Sequence, residues 1–138
     1  MNTYPQNPRY KQALLIDDDE VDNYITQRVL KSVFFAENIE IKLSGIEALS
    51  YVKELIAEVK KLPEVIFLDI TMPEMDGFKF LDSLKKLGEQ VKIDSKIIVL
   101  TNSVYADTPR IKNAGSNPMI HSVLLKPLSV EALQKISA

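Results

Sequence analysis

The sequence predicts an α/β fold: a doubly wound parallel sheet with helices on both faces. One observation is that short apolar runs alternate along the chain with segments that have the spacing of amphipathic helices. Strands that alternate with helices favour a parallel sheet, because each right-handed crossover lays a helix against one face. The other is the run VIFL at residues 65–68, which is apolar at successive positions, as expected of a strand buried on both sides.

Length and composition indicate one ordinary globular domain. The chain has 138 residues, a formal net charge of −2, no cysteine and a single histidine. These values exclude disulfides and a multi-histidine metal cluster, and they give no reason to expect nucleic-acid binding or membrane insertion. Residues 1–11 lack the features of a signal peptide and are predicted to form a flexible leader, followed by one domain at residues 12–138. A cytoplasmic location is the default expectation.

The first half of the chain supplies two strands and two helices. Residues 13–16 form a buried strand that runs into the acidic residues 17–20, and residues 39–43 alternate apolar and polar side chains like a half-buried strand. Ser44 and Glu47 have the spacing of a capping box, and Pro63 stops the helix that follows. The predicted apolar positions of the two helices are Val21, Tyr24, Ile25, Val29 and Leu30 for the first, and Ile46, Leu49, Val52, Leu55, Ile56 and Val59 for the second.

The second half continues the alternation. The strand at residues 65–68 runs into Asp69, and a helix with Gly88 as its C-cap follows a short loop. Residues 96–100 and 122–125 are the fourth and fifth strands. Between them a weaker pattern predicts a helix from Thr108-Pro109 to Gly115. Ser129 caps the final helix, whose apolar face is Val130, Leu133 and Ile136.

Polar side chains follow most of these strands at the point where each strand ends. Asp17 and Asp18 follow the first, Asp69 the third, Thr101 the fourth and Lys126 the fifth. The carboxyl ends of parallel strands lie along one edge of the sheet, so these groups should converge if their strands are neighbours. Carboxylates without histidine or cysteine select a hard cation, Mg²⁺ or Mn²⁺.

Such a set suits transfer of a phosphoryl group to a carboxylate. It contains a nucleophile, ligands for a metal, a mobile ammonium and a hydroxyl donor. Each residue alone has a simpler explanation: acidic residues ahead of a helix usually cap it, and a lysine before proline is usually a surface charge. Their occurrence in one order, each at a strand end, favours the functional interpretation.

These motifs resemble those of the receiver domain of the response-regulator family in two-component signalling, which includes chemotaxis regulators. The similarity covers residues 13–136 and is carried by LIDDD at 15–19, LDITMPEMDG at 68–77, VLT at 99–101 and LKP at 125–127. The resemblance implies a flavodoxin-like (βα)5 fold with strand order 2-1-3-4-5.

The resemblance also implies the metal site and the phosphoacceptor. Asp69 corresponds to the aspartate that receives the phosphoryl group. Asp18 and Asp69 would ligate Mg²⁺ directly, together with the backbone carbonyl of Thr71, whereas Asp17 would hold the ion through water.

The switch residues are implied in the same way. Lys126 would pair with the Asp69 carboxylate and then with the phosphoryl oxygens, and Thr101 would turn inward to hydrogen-bond the phosphoryl group. The Lys126–Pro127 bond corresponds to one that is cis in the family.

The implied function is that of a stand-alone response regulator. It would accept phosphate from a histidine kinase or a phosphotransfer protein, catalyse only its own phosphorylation and dephosphorylation, and switch binding to an unidentified downstream partner. Because the sequence holds no second domain, docking to a partner or passing phosphate on is the expected output. Three departures affect that output: Val123 replaces a usual aromatic residue, Asn102 replaces a usual small one, and the segment between Thr101 and Lys126 is longer than typical.

Other function classes stay open. The chain could be a phosphorylation-independent scaffold, or a flavin or nucleotide binder, although it has no Gly-rich phosphate loop. It could also be a Mg²⁺-dependent phosphohydrolase with an aspartyl-phosphate intermediate. Such enzymes commonly carry a second aspartate two residues past the nucleophile, where this chain has Thr71.

Overall fold

Five parallel strands form one sheet in the order β2-β1-β3-β4-β5 in the computed structural model of this protein. The structure describes residues 7–72, 75–102, 109 and 113–136. The strands are β1 (Tyr10–Ile16), β2 (Ala36–Lys42), β3 (Val65–Asp69), β4 (Lys96–Thr101) and β5 (Ile120–Leu125). The predicted α/β class, the parallel sheet and the strand order are therefore confirmed.

Helices connect β1 to β2, β2 to β3 and β3 to β4, and the described helices cover both faces of the sheet. They are α1 (Glu20–Ser32), α2 (Gly45–Ala57), α3 (Gly77–Leu87) and a C-terminal helix (Val130–Gln134), with a 3-10 turn at Asn113–Ser116. The helix predicted to begin at Thr108-Pro109 falls largely outside the described residues, and the 3-10 turn lies where that helix was predicted to end. No helix in the described ranges combines the length and apolar character needed to cross a bilayer.

Alternating side chains of the central strands build two cores. Leu14, Ile66 and Val99 belong to the cluster that also contains Val52 of α2 and Phe80 of α3. Their strand neighbours point to the other face, where the cluster contains Leu15, Phe67, Ile98, Leu30 of α1 and Leu133 of the C-terminal helix. All five residues of β3 are buried, as predicted for a strand covered on both sides.

Helix starts follow the capping chemistry of the sequence. The side chains of Asp19, Ser44, Asp76 and Ser129 each accept backbone N–H hydrogen bonds at the start of a helix. At α2 the first half of the predicted capping box is present, since Ser44 Oγ accepts from the Glu47 N–H at 3.0 Å. The Glu47 carboxylate accepts from the Leu43 N–H at 3.2 Å, one residue before the cap residue of an ideal capping box. These caps fix where α1, α2 and α3 begin, each just beyond the carboxyl edge of the sheet.

Three predictions about element ends and faces were wrong. β1 begins at Tyr10, which is buried, so the predicted leader of residues 1–11 overlaps the sheet by two residues. α1 buries Asn23, Thr26 and Leu30, whereas the predicted stripe residues Val21, Tyr24 and Ile25 are exposed. α2 ends at Ala57, so Val59 lies beyond the helix and is 92% exposed.

Candidate functional site: an acidic cluster with one buried lysine

The predicted site residues converge at the carboxyl edge of the sheet. Asp69 is the last residue of β3 and pairs with Leu100, and Thr101 is the last residue of β4 and pairs with Leu125. Asp17 and Lys126 directly follow β1 and β5. The convergence depends on β1, β3, β4 and β5 being consecutive in the sheet, and they are.

Three carboxylates form a compact cluster. One oxygen each of Asp17, Asp18 and Asp69 lies within 4.8 Å of the others. Asp17 and Asp69 are buried, with relative exposures of 0% and 6%, whereas Asp18 is exposed. Two buried carboxylates and one that opens to solvent leave a route for an ion or a reactant to enter from outside.

Local backbone contacts fix the positions of the two buried carboxylates. Asp17 Oδ1 accepts from the Asp19 N–H at 3.0 Å, and the Asn23 side-chain amide donates to the Asp17 carbonyl oxygen at 2.8 Å. Asp69 Oδ1 accepts from the Thr71 N–H at 3.2 Å. The polar buried face of α1 thus has a role that an apolar stripe could not perform, because it anchors the end of β1.

Gly77 allows α3 to start close beneath Asp69. Its N–H donates to the Ile70 carbonyl at 3.1 Å. A Cβ at this position would lie 2.9 Å from the Asp69 carbonyl oxygen and 2.9 Å from Ile70 Cα. Backbone atoms cannot move aside as a flexible side chain can, so the close approach requires glycine.

The electrostatics of the cluster favour a neutral Asp69. Burial, followed by the charge of Asp17, raises the pKa of Asp69 to about 7, against the lowering influence of Lys126 and of the Thr71 N–H. The raised pKa means that ionisation of Asp69 costs more free energy in the folded protein than in water. A cation placed among the three carboxylates would remove that penalty.

Lys126 lies among the carboxylates, but its shortest contacts are with Asp17 and Asp22 rather than with the predicted partner Asp69. Its Nζ donates to Asp17 Oδ2 at 2.6 Å and to Asp22 Oδ2 at 3.0 Å, and it lies 3.5 Å from Asp69 Oδ1. The expected pairing with Asp69 is therefore the longest of three ion pairs. Burial lowers the pKa of Lys126, but the hydrogen bonds to Asp17 and Asp22 and the charge of Asp69 outweigh it and hold the pKa well above its usual range.

Asp22 is the site residue that the sequence analysis missed. It lies in the first turn of α1, where an acidic side chain is explained by the helix dipole alone. The available signal was its spacing of three residues from the capping Asp19, next to the acidic run. That spacing places its carboxylate on the site side of the helix, but only the coordinates show that Lys126 reaches it.

The remaining predicted residues also lie at this edge. Thr101 is buried, at 1% exposure, and its hydroxyl donates to the Asn102 carbonyl oxygen at 3.4 Å. The Lys126–Pro127 peptide bond is cis. Val123, at the position expected to hold an aromatic residue, is partly buried against the core that contains Val52 and Phe80.

The residues present fit a divalent cation. The cluster offers only oxygen ligands, which select Mg²⁺ or Mn²⁺ over softer metals. Burial and the charge of Asp17 raise the pKa of Asp69, and the positive charge of a bound ion would offset both effects. Asp17, Asp18 and Asp69 are the side chains positioned to hold the ion.

Comparison with known proteins agrees with this geometry. Residues 13–138 match the family described as the response regulator receiver domain. The chain is 30% identical over 122 residues to the probable methanogenesis regulatory protein FilR2 of Methanothrix harundinacea, covering 88% of this chain and 76% of that protein. It is 31% identical over 131 residues to the osmosensing histidine protein kinase SLN1 of Saccharomyces cerevisiae, covering 95% of this chain but only 10% of the kinase.

Solved structures show the same fold. A two-component response regulator from Cytophaga hutchinsonii superposes with a TM-score of 0.80 at 28% identity, covering 91% of this chain and 92% of that one. The receiver domain of the histidine kinase CKI1 from Arabidopsis thaliana, complexed with Mg²⁺ and BeF3⁻, superposes with a TM-score of 0.71 at 25% identity, covering 91% and 89%. With its family match, its strand order and its acidic cluster in agreement, this chain belongs to the response regulator receiver domain family of two-component signalling.

Proposed function

We propose that this protein accepts a phosphoryl group on Asp69 from a histidine kinase or a phosphotransfer protein, with Mg²⁺ or Mn²⁺ as cofactor, and that phosphorylation switches binding to a downstream partner. The observation that carries the proposal is the meeting of three carboxylates and one lysine at the carboxyl edge of the sheet. That arrangement serves no purpose in packing, because buried like charges oppose folding unless a ligand compensates them.

The chemistry requires Asp69 to act as a nucleophile. A carboxylate oxygen of Asp69 would attack phosphorus, the P–N bond of a phosphohistidine would break, and its electron pair would go to the imidazole nitrogen of the donor. A bound divalent ion would supply positive charge that keeps Asp69 ionised and neutralises phosphoryl oxygens. Asp18 and Asp69, with the backbone carbonyl of Thr71, would hold it directly, and Asp17 would hold it through water.

Two further residues would act on the transferred group. Lys126 carries a positive charge 3.5 Å from the Asp69 carboxylate and would pair with phosphoryl oxygens there. Thr101, buried at the end of the neighbouring strand, would donate its hydroxyl to another phosphoryl oxygen. A phosphoryl group adds roughly −1.5 to −2 charge and three acceptor oxygens, which is enough to reorder the groups around it. Hydrolysis of the acyl phosphate by the same residues would reset the switch.

The names of several relatives support the class of phosphate donor. SLN1 of yeast, the sensor histidine kinase CheAY of Helicobacter pylori and CKI1 of Arabidopsis thaliana are all named as histidine kinases. The donor would be charged from ATP inside the cell, which is why we propose a cytoplasmic location.

Labelling with a small phosphodonor tests the proposal. Incubation with acetyl phosphate and Mg²⁺ is expected to add one phosphoryl group, seen by intact mass, and chelation of the metal is expected to prevent it. Asp69→Asn should abolish the addition. Asp82→Asn, the same substitution at an exposed position of α3, should keep it. Retained labelling in Asp69→Asn would refute the assignment of the phosphoacceptor.

The same assay separates the alternatives. A wild-type chain that takes up no phosphoryl group would favour a phosphorylation-independent binding module. Sustained release of phosphate from a phosphomonoester would favour a phosphohydrolase. Position 71, where such an enzyme commonly has its second aspartate, holds Thr71, whose N–H is bound to Asp69.

A further inference from the structure

We propose that Asp22 is a positioning residue that holds Lys126 in the resting protein, so that the phosphoryl group on Asp69 must compete with Asp22 for the lysine ammonium. The inference rests on the proposed function and extends it to a residue outside the acidic cluster. It starts from the three carboxylates that surround Lys126 Nζ, at 2.6 Å (Asp17), 3.0 Å (Asp22) and 3.5 Å (Asp69).

Asp17 and Asp22 already take up most of the hydrogen-bonding capacity of the Lys126 ammonium. A lysine has three N–H donors. Two of them make hydrogen bonds to Asp17 and Asp22, at distances typical of charged pairs. Asp69, at 3.5 Å, lies beyond a good hydrogen bond, so an approach of Lys126 to phosphoryl oxygens there must lengthen at least one of the two existing contacts.

Asp22 is the contact that can be released. The Asp17 side chain is 1% exposed and belongs to the acidic cluster, where it has no solvent to turn toward. The Asp22 side chain is 36% exposed, so its carboxylate can return to water when the lysine leaves. The backbone of Asp22 is fixed at the start of α1, because its N–H donates to the side chain of the capping Asp19 at 3.2 Å. The Asp22 carboxylate therefore contacts Lys126 from a fixed backbone position.

The pair also joins distant parts of the chain. Asp22 lies in the first turn of α1, and Lys126 follows β5, 104 residues later. Movement of Lys126 toward a phosphoryl group would therefore release the start of α1 from the end of β5. The same helix carries the exposed residues Val21, Tyr24 and Ile25, so release of its start would change the outer surface of α1.

Asp22 should slow acceptance of phosphate in two ways. The Asp22 carboxylate holds the Lys126 ammonium away from Asp69. Its negative charge also repels the incoming phosphoryl anion, because Asp22 and Asp69 both lie next to the same ammonium group. Replacing it with asparagine keeps the size and removes the charge. We expect Asp22→Asn to be phosphorylated by acetyl phosphate about three- to tenfold faster than the wild type, the scale of one partly exposed ion pair.

The matched control is Glu20→Gln. Glu20 lies in the same first turn of α1, is exposed and has no contact with Lys126 among the described residues. Glu20→Gln removes the same charge from the same helix end, so any effect of the helix dipole or of net charge appears in both variants. Asp22→Glu restores a carboxylate on a longer side chain and is expected to return the rate toward that of the wild type.

A second readout observes the lysine directly in the unphosphorylated protein. The Lys126 side chain is 11% exposed and its ammonium makes two hydrogen bonds, so isotope-labelled lysine should give a slowly exchanging NMR signal that Lys126→Arg removes and thereby assigns. Asp22→Asn should shift this signal toward its position in the wild-type complex with Mg²⁺ and beryllofluoride. Glu20→Gln should leave it unchanged.

The outcomes are distinct. Failure of the wild type to take up phosphate refutes the proposed function, and the resting-state NMR shift still tests the contact between Asp22 and Lys126. A phosphorylated wild type whose rate and lysine signal are altered equally by Asp22→Asn and Glu20→Gln overturns the role of Asp22. Faster phosphorylation and a shifted signal in Asp22→Asn alone, reversed by Asp22→Glu, establish it.

Discussion

At the scale of single residues, the site places three carboxylates around one ammonium group, so its negative charge is only partly neutralised. Asp17 and Asp69 are both buried, and Lys126 forms ion pairs with both. Burial, followed by the charge of Asp17, raises the pKa of Asp69, so protonation of this carboxyl is favoured in the folded protein. A group with this property makes stability depend on pH in a predictable direction.

Asp69 should make the metal-free protein less stable as pH rises. Its pKa is about 7 in the folded chain and about 4 in an unfolded one, so the folded state holds the extra proton between these values. The stability that this proton contributes is fully present below about pH 4 and is lost as pH rises through about 7. With a chelator present, Asp69→Asn should therefore be more stable than the wild type at about pH 8, by up to about 4 kcal/mol, and by only about 1–2 kcal/mol at about pH 5.

Denaturant unfolding of both proteins at the two pH values measures this difference. Asp82→Asn, at an exposed position of α3, should show no such change with pH. A wild type and an Asp69→Asn variant that keep a constant difference in unfolding free energy from about pH 5 to about pH 8 would mean that Asp69 titrates normally.

At the scale of elements, two helices end in the same strained way. After α1, the Phe35 N–H donates to the Leu30 carbonyl and the Phe34 N–H donates to the Lys31 carbonyl. After α2, the Lys60 N–H donates to the Leu55 carbonyl and the Val59 N–H donates to the Ile56 carbonyl. These are Schellman motifs, which place one residue in the left-handed region and usually use glycine there. Here the residues are Phe34, with φ 48°, and Val59, with φ 56°.

Val59→Gly should stabilise the protein. A β-branched residue at positive φ costs about 1–2 kcal/mol, and Val59 is 92% exposed, so its side chain returns little by burial. After the entropic cost of glycine in the unfolded chain, a net gain of about 0.5–1 kcal/mol remains, or a rise of roughly 2–5 °C in Tm. Val59→Ala keeps a Cβ and should gain less. A Val59→Gly protein no more stable than Val59→Ala would show that the strain is absent.

The elements also mark how far the sequence could be interpreted. The central strands were predictable because their apolar runs are buried on both faces. The carboxyl-edge cluster was predictable only with the strand order that the family resemblance implied, because that order makes β1, β3, β4 and β5 neighbours. Val59 was assigned to α2 because its spacing fits the apolar stripe, but the helix ends two residues earlier. The inner face of α1 was not predictable from hydrophobic spacing, because two of its buried residues, Asn23 and Thr26, are polar, and Asn23 donates to the Asp17 carbonyl oxygen. Asp22 was missed because its partner is 104 residues away.

At the scale of the whole molecule, Lys126 connects segments that are far apart in the chain. Its ammonium reaches the end of β1, the start of α1 and the end of β3, and its own residue begins the loop after β5. The two apolar cores hold the sheet between its helices, but they do not determine how the charged edge is arranged. The lysine and a divalent ion would perform the same task there, since each supplies positive charge to the same carboxylates.

Lys126→Met should therefore destabilise the metal-free protein and be partly rescued by Mg²⁺. Removing the ammonium leaves the Asp17 and Asp69 side chains, 1% and 9% exposed, without their cation, and such a loss costs about 2–4 kcal/mol. Unfolding midpoints measured with a chelator and with excess Mg²⁺ give the size of the rescue. Lys53→Met, which removes an exposed lysine from α2, should change stability little in either condition. If Lys126→Met were as stable as Lys53→Met without metal, the Lys126 ammonium would not be the group that balances the buried carboxylates. The resting contact with Asp22, and competition for the lysine from a phosphoryl group, would then have no measurable effect at this edge of the sheet.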